Sequence, residues 1–411
     1  MSRRLDDWLQ GFLDFMDNTE PPFLYKFWCG VSTIAAALQR KCYVPWGTLT
    51  FYPNMYIVLI GPPGRTRKGT AIGPAMDLLQ ELDIPLAAEA TTREALIRSM
   101  FDARDTSVNP ETGESYTHSS LTIFSAELTV FLGYQNHQLM SDLADWYDCR
   151  TKWTYRTKTQ GSDDIRGVWV NILGATTPEL IRTTLPMDAI GGGLTSRIIF
   201  VNEDQKGKIV PAPFLSPEQE GLRRDLLYDL EQIFMMSGPF RVTNEFLERW
   251  CEWYTYQEHN PPFKDQFFDG YMSRRANHIM KLSTIISAAR RETRQIELED
   301  FEDALRVLEQ TELKMTRTFQ GVGHSPMASV VTNIMTTVGN AGEMTKPELL
   351  RQHHRDVRDE REMDAIINML ESSGFCKRTV VDGVMTIKHN SNYDGVVKEL
   401  LKDEEVYHGK K

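Results

Sequence analysis

The rhythm of apolar and polar positions changes several times along the chain, and each change predicts a change of structure. Residues 1 to 48 read as helices; the second, "FLYKFWCGVSTIAAAL" (23–38), is apolar on almost every side, the pattern of a buried helix. "MYIVLIG" then runs as unbroken β-branched and apolar residues up to Gly61, which predicts a strand covered on both faces of a parallel sheet. The runs "SLTIFSAE" (120–127), "VWVNILGATT" (168–177) and "SRIIFVN" (196–202) repeat that pattern, with the helical stretches "PAMDLLQEL" and "TREALIRSMFDA" between the first of them. An α/β sheet domain is expected.

"VPAPFLSPE" (210–218) is a Pro-rich break, after which helical periodicity continues through about residue 318, including "RRANHIMKLSTIISAARR" and "LEDFEDALRVLEQTELKM". "GVGHSP" (321–326) reads as a linker. The last unit reads as helices "MASVVTNIMTTV", "KPELLRQHHR" and "DEREMDAIINMLESS", then strands "FCKRTVV" and "VMTIKH" about an Asp382-Gly383 turn. Three helices and a hairpin describe a winged helix-turn-helix. The expected organisation is N-terminal helices over 1–48, a nucleotide-binding core over 49–209, an all-helical domain over 210–320, the winged helix over 326–390 and a tail over 391–411.

At 411 residues with a formal charge of −11, the chain is no globally basic nucleic-acid coat, so any contact with DNA must come from a local patch or a lined channel. Five scattered cysteines without a CxxC pair indicate neither a disulfide framework nor a zinc site, and fit a reducing cytoplasm. The start "MSRRLDDWLQGF" lacks the pattern of a secretory signal, and the apolar run over 23–38 is short for a bilayer, so no membrane partner is expected.

The stretch "VLIGPPGRTRKGTAI" (58–72) carries the first candidate chemistry. A phosphate loop reads G-x-x-x-x-G-K-[ST]: glycines let backbone N–H groups surround the phosphates, the lysine reaches the terminal oxygens and the hydroxyl holds magnesium. Gly61 and Gly64 match its opening, but Lys68 arrives one residue late, Arg67 replaces the preceding glycine, and Gly69 separates Lys68 from Thr70. Pro74 adds a conflict, since a helix starting at Lys68 would contain it, while one starting at Gly73 would leave Lys68 in the loop. A buried strand before the segment, a helical pattern after it and three cations beside two glycines still make it an anion site.

The order of later parts points to ATP and magnesium. "LTIFSAELTVFL" ends a strand in Glu127, a candidate general base; the aspartate usual just before it is Ala126, which leaves magnesium to Thr70, water or Ser125. At the end of the next strand, Thr176 and Thr177 sense a γ-phosphate, cap the helix that Pro178 opens, or do both. Arg197, after a glycine run, is either an arginine finger for a neighbouring subunit's γ-phosphate or part of a structural ion pair.

The ordered set "PPFLYKFWCGVSTIAAALQRKCYV", "YPNMYIVLIGPPG", "RKGT", "TTREALI", "SAELTVFL", "LGATTPELI" and "GGGLTSRIIF" resembles the phage- and plasmid-borne P-loop ATPases that are fused to or encoded beside primases and are related to replicative helicases. The resemblance covers roughly residues 20 to 310. It implies a P-loop NTPase core with a RecA/AAA+-like parallel sheet, Gly61, Gly64, Lys68 and Thr70 at the nucleotide, Glu127 in catalysis, and Arg197 as finger or sensor; Arg67 and Gly69, within the same loop, are further candidates for nucleotide contact. It further implies a ring, expected as a homo-hexamer, acting in the host bacterial cytoplasm with a primase or other replication protein. Ala126 departs from the family's aspartate.

"CRTKWTYRTKTQG" (149–161) is the most concentrated basic stretch: Arg150, Lys152, Arg156 and Lys158, with Trp153 and Tyr155 interleaved and no acid. Cations for phosphates and aromatic faces for bases are what a single strand needs, so this hairpin is the candidate contact for single-stranded or duplex DNA. The helix "DEREMDAIINMLESS" is too acidic for a major groove; Arg351, Arg355, Arg358, Lys377, Arg378 and Lys388 are the alternative phosphate contacts there, against a protein-docking role. The expected function is a DNA-stimulated ATPase that moves on or unwinds DNA, the alternative being an ATP-dependent switch, such as a helicase loader or initiator, with slow hydrolysis.

Overall fold

The structure, a computed structural model, describes residues 3–88, 91–133, 136–157, 161–184, 193–263, 266–319, 326–354, 356–357, 359–381 and 384–390. The chain forms two compact units, Met1–Gln320 and Gly321–Lys411.

The first unit opens with α1 (Trp8–Phe15), capped by the Asp7 carboxylate, and α2 (Phe23–Leu38), in which all but the first residue is buried. The helical reading of 1–48 is corrected after Lys41, where the β-branched and aromatic run turns to strand: β1 (Cys42–Trp46) and β2 (Leu49–Phe51) pair as a hairpin. β3 (Tyr56–Ile60) leads through the loop to α3 (Lys68–Glu81), followed by α4 (Arg93–Asp102), β4 (Arg104–Val108), β5 (Ser115–Ser125), α5 (Leu128–Leu132) and α6 (His137–Tyr147). A second hairpin, β6 (Lys152–Thr157) with β7 (Gly161–Arg166), precedes β8 (Val168–Thr176), α7 (Pro178–Thr184) and β9 (Ile198–Asn202).

The central sheet has the order β4-β5-β8-β3-β9. β5, β8, β3 and β9 are mutually parallel, as their doubly buried runs predict, and every residue of β3, β8 and β9 is buried. The edge corrects the expectation of an all-parallel sheet: β4 pairs antiparallel with the first half of β5, while Leu86 makes a single parallel bridge to Thr122 farther along. β4 reads RDTSV and is mostly exposed, which suits an antiparallel edge wetted on one side.

α8 (Pro217–Met235), β10 (Gly238–Pro239), β11 (Arg241–Val242), α9 (Asn244–His259), α10 (Asp269–Arg290), β12 (Gln295–Ile296) and α11 (Leu298–Met315) complete the unit. The stretch expected to stand apart as a helical domain over 210–320 belongs to the same body as the sheet: α10 packs on α2, α11 packs on β9, and every α10 residue from His278 to Ala289 is buried. A helix face that meets a sheet and one that meets another helix carry the same period, so sequence alone does not separate the two. Among the described residues no helix is long and apolar enough to cross a membrane.

Two histidines lie wholly inside this unit. His118, 0% exposed, sits 3.1 Å from Ser107 Oγ and 2.9 Å from Ser120 Oγ, and burial pushes its pKa down to about 4. Burial likewise brings His278 down to about 3. The unfolded chain binds protons at these sites near the ordinary value of about 6.5, so stability falls as pH drops below it, and His118 alone costs about 2 kcal/mol by pH 5. Thermal unfolding between about pH 7 and pH 5 should show this decline, and His118→Asn should reduce it by about half, His278 supplying the rest. An equal slope in that variant would reject the assignment.

The second unit contains α12 (Pro326–Ala341), β13 (Glu343–Thr345), α13 (Lys346–Gln352), α14 (Glu360–Ser372), β14 (Cys376–Val381) and β15 (Val384–His389) around a core led by Ile334, Val338, Leu349, Met363, Ile366 and Phe375. Its sheet is antiparallel in the order β13-β15-β14. β13 has no counterpart in the sequence reading: it is three residues long, and Thr345 both ends it and caps α13 in a capping box with Glu348. The Asp382-Gly383 turn, Arg355, Arg358, Lys158, most of the 321–326 linker and the 391–411 tail lie outside the described residues.

Candidate functional site

Register places Ile60, at the end of β3, beside Thr176 of β8 and Asn202 of β9. The phosphate-loop candidate leaves the sheet at this edge. Gly61 needs its missing side chain, because a Cβ would lie 2.6 Å from the Glu203 carbonyl and from Thr66 Oγ1, and 2.7 Å from the Tyr25 hydroxyl. Gly64 turns with φ +71, and Arg67, also left-handed at φ 57, is the N-cap of α3. The helix therefore starts at Lys68, and Pro74 is tolerated inside it at the cost of the hydrogen bond to the Thr70 carbonyl. No side chain caps this end, so the N–H groups of its first turn point out of the helix unclaimed by a cap. Added side chains at Gly64, Gly69 and Gly73 would meet nothing within 4 Å.

Lys68 Nζ, half-buried, donates to the Gly61 carbonyl at 2.6 Å. Burial lowers its pKa, and the charge of Glu127 opposes that shift. Arg67 turns away: its Nε donates to Glu20 at 2.6 Å, and Lys206 binds the same carboxylate. These two cations bring Glu20 down to about 2. The candidate nucleotide residue Arg67 is thus a tether of the loop. Glu20 escapes a sequence reading because nothing links it by spacing to the loop.

β8 lies between β3 and β5, and neighbouring strands are about 4.8 Å apart, so the loop and the end of β5 face each other across about 10 Å. Glu127, the N-cap residue of α5, and Ala126 are exposed beyond β5, whereas Ser125 is buried at 2%. The threonine alternatives divide cleanly. Thr177 Oγ1 accepts the Leu180 N–H and caps α7, while the buried Thr176 hydroxyl has no hydrogen-bond partner among the described residues.

Arg197 sits just before β9, at the other end of the sheet from the loop, since Ile198 pairs with Tyr56, the first residue of β3. It is 9% exposed, with Nη2 at 2.6 Å from Asp148 and Nη1 at 2.7 Å from the Gly193 carbonyl. A sensor acting on its own chain's loop is ruled out by this placement, and the side chain is held in a structural ion pair.

The hairpin β6–β7 corrects the combined reading of its residues. Strand alternation sends Lys152, Thr154 and Arg156 to the exposed face and Trp153 and Tyr155 to the half-buried one. Trp153 packs edge-on against Trp146 at 5.4 Å, and the Arg93 guanidinium lies 5.0 Å from the Tyr155 ring centre. The aromatics therefore anchor the hairpin, and only the cations face outward. Arg150 pairs with Asp145, and Lys152 with Asp164 of β7 at 2.8 Å, so part of the positive charge is already matched. Exposed Arg156 makes no ion pair among the described residues.

In the second unit Lys346 bridges Glu360 and Asp364 of α14, and Arg378 Nε donates to Glu371 at 2.7 Å. Lys388 lies 3.7 Å from Glu343. Among the named phosphate contacts that are described, these pairings leave Lys377 and Arg351 as exposed cations without an ion pair. No protein-family model matches the chain, and no curated protein sequence matches it.

Proposed function

We propose that the first unit is a P-loop-type ATPase core and that the chain is a DNA-stimulated ATPase of phage or mobile-element replication, working as a ring-forming helicase or translocase. One observation carries this reading: a glycine-bearing loop joins a buried parallel strand to an uncapped helix N-terminus, with Lys68 inside it and Glu127 across the groove. The resemblance read from the ordered motifs supports it, as does the open space at Gly64, Gly69 and Gly73.

The residues fit a triphosphate. The first-turn N–H groups of α3 would surround the β-phosphate, and Lys68 would exchange the Gly61 carbonyl for a terminal oxygen. The orphaned Thr176 hydroxyl is fully buried and would donate to the same group only after the loop beside it shifts, and Glu127 would orient the attacking water. Bound magnesium would neutralise charge on the phosphates; it keeps most of its waters, so exposed Thr70 can serve as its main side-chain ligand, and buried Ser125 is the poorer candidate. A finger role for Arg197 in a neighbouring copy requires Asp148 to release it.

Ala126 favours the second reading, a slow ATP switch, because no carboxylate precedes Glu127 to hold a magnesium-bound water. The second unit has the element order of a winged helix, and the neutralised cations on its surface favour protein docking, for instance to a primase. ATP hydrolysis by the full chain, with and without single-stranded DNA, separates motor from switch. A rise of about tenfold or more on adding DNA is expected; bound nucleotide with slow turnover that DNA leaves unchanged would select the switch.

A further inference from the structure

A cavity of about 330 Å³ lies at the foot of the β6–β7 hairpin, bounded there by Thr151 and Gly167. Its walls carry three tyrosines, Tyr43, Tyr52 and Tyr116, and Arg40. The Tyr43 and Tyr52 rings stand 6.1 Å apart, tilted by 46°, and neither is fully buried. Asn109 Nδ2 reaches the Tyr43 hydroxyl at 3.4 Å, and exposed Glu114 stands at the rim.

Arg40 is the unusual member. It is 6% exposed, its Nη1 donates to the carbonyls of Cys149 and Val168 at 2.6 and 2.8 Å, and its guanidinium lies 4.1 Å from the Tyr52 ring centre. It forms no ion pair among the described residues. A buried cation held by carbonyls and a tyrosine, with no carboxylate beside it among the described residues, is costly unless an anion shares its charge. Aromatic faces beside such a cation match the two halves of a nucleotide, a base that stacks and a phosphate that pairs.

We infer that this cavity binds one nucleotide unit of a single strand, its base against Tyr43 and Tyr52 and its phosphate toward Arg40, so that the hairpin's outward cations guide the strand and the cavity supplies the aromatic faces the hairpin does not offer. The inference rests on the nucleic-acid part of the proposed function. It is separate from the ATP site: the cavity is bounded by Ser115 and Thr117 at the start of β5 and by Gly167 ahead of β8, whereas the phosphate loop lies at the far end of that strand. β8 is nine residues long, about 26 Å from first to last Cα at ~3.3 Å per residue, too far for one nucleotide to occupy both places.

The test uses the full chain and single-stranded oligonucleotides containing 2-aminopurine, whose fluorescence is quenched by stacking. Saturating binding should quench it, and an abasic strand of equal charge should bind about tenfold more weakly. A Tyr43→Ala/Tyr52→Ala variant should bind the base-bearing strand about tenfold more weakly with an unchanged salt slope, since phosphate contacts remain, while Tyr52→Phe keeps wild-type affinity. ATP hydrolysis without DNA should be unaltered in both. Equal affinity of wild type and double variant, or absence of quenching on a bound strand, overturns the cavity alone. Wild-type protein that binds no strand at any salt concentration overturns the nucleic-acid reading with it. Displacement of the strand's 2-aminopurine by free mononucleotide at far lower concentration than the strand itself would make a free nucleotide the occupant and overturn the strand.

Discussion

Lys68→Ala is expected to reduce ATP turnover by at least about 100-fold, the order found when a single charge-stabilising donor is removed from a transition state. Of the loop's three cations Lys68 alone is half-buried: Arg65 and Arg67 are exposed, Arg67 is tied to Glu20, and Lys68 Nζ rests on the Gly61 carbonyl, within the proposed phosphate site. Nucleotide binding should weaken in the same variant, because the amine contacts ground state and transition state alike. Glu127→Gln should behave differently, keeping nucleotide bound while losing turnover, since the role proposed for Glu127 is with the water. Fluorescent-nucleotide titration beside steady-state hydrolysis reads both. Wild-type turnover in Lys68→Ala would remove the loop from consideration as a phosphate site, and unchanged turnover in Glu127→Gln would transfer the base to another group.

The second large effect is on stability. Glu312→Ala is expected to destabilise the first unit by about 3 kcal/mol, because it leaves a buried guanidinium with only Gln257 at 3.2 Å and the exposed Glu309 at 3.5 Å as polar partners among the described residues. Arg275 and Glu312 are 3% and 4% exposed and meet in a two-pronged pair, Nε to Oε1 at 2.7 Å and Nη2 to Oε2 at 2.8 Å. The Tyr271 hydroxyl donates to the same carboxylate at 2.9 Å. Despite these donors, burial leaves the Glu312 pKa raised, with Arg275 acting against the shift. The pair joins α10 to α11, the two helices that attach to α2 and β9, so its loss loosens the scaffold behind the sheet. A fall in melting temperature on the order of 5 °C is expected, whereas Arg275→Met/Glu312→Leu, which removes both charges, should recover most of it. A double variant as unstable as the single one would show that packing around these side chains, and not the uncompensated charge, sets the cost.

The elements that were legible in the sequence are those whose burial is uniform or strictly periodic. β3, β8 and β9 announce themselves as doubly covered runs, and α11 follows its amphipathic stretch from Leu298 to Met315 without offset. The start of α3 was harder, because Gly69, Gly73 and Pro74 all argue against a helix; the uncapped turn persists because the left-handed Arg67 and the tether to Glu20 fix its entry. The hairpin shows the opposite failure. Its alternation was present in the letters, yet cations and aromatics look like a joint surface until period two assigns them to opposite faces.

By itself the sequence determined the α/β class, the strand-loop-helix unit at Gly61 to Thr70 and the division before the last ninety or so residues, because hydrophobic period and turn chemistry are local properties. Only the tertiary structure decided the strand order that sets Glu127 across from Lys68, the pairing of Arg197 with Asp148, the merging of α8 to α11 with the sheet, and the tyrosine cavity around Arg40. Each of these joins residues far apart in the chain, and a charge or an aromatic ring carries no local mark of the partner that folding will bring to it.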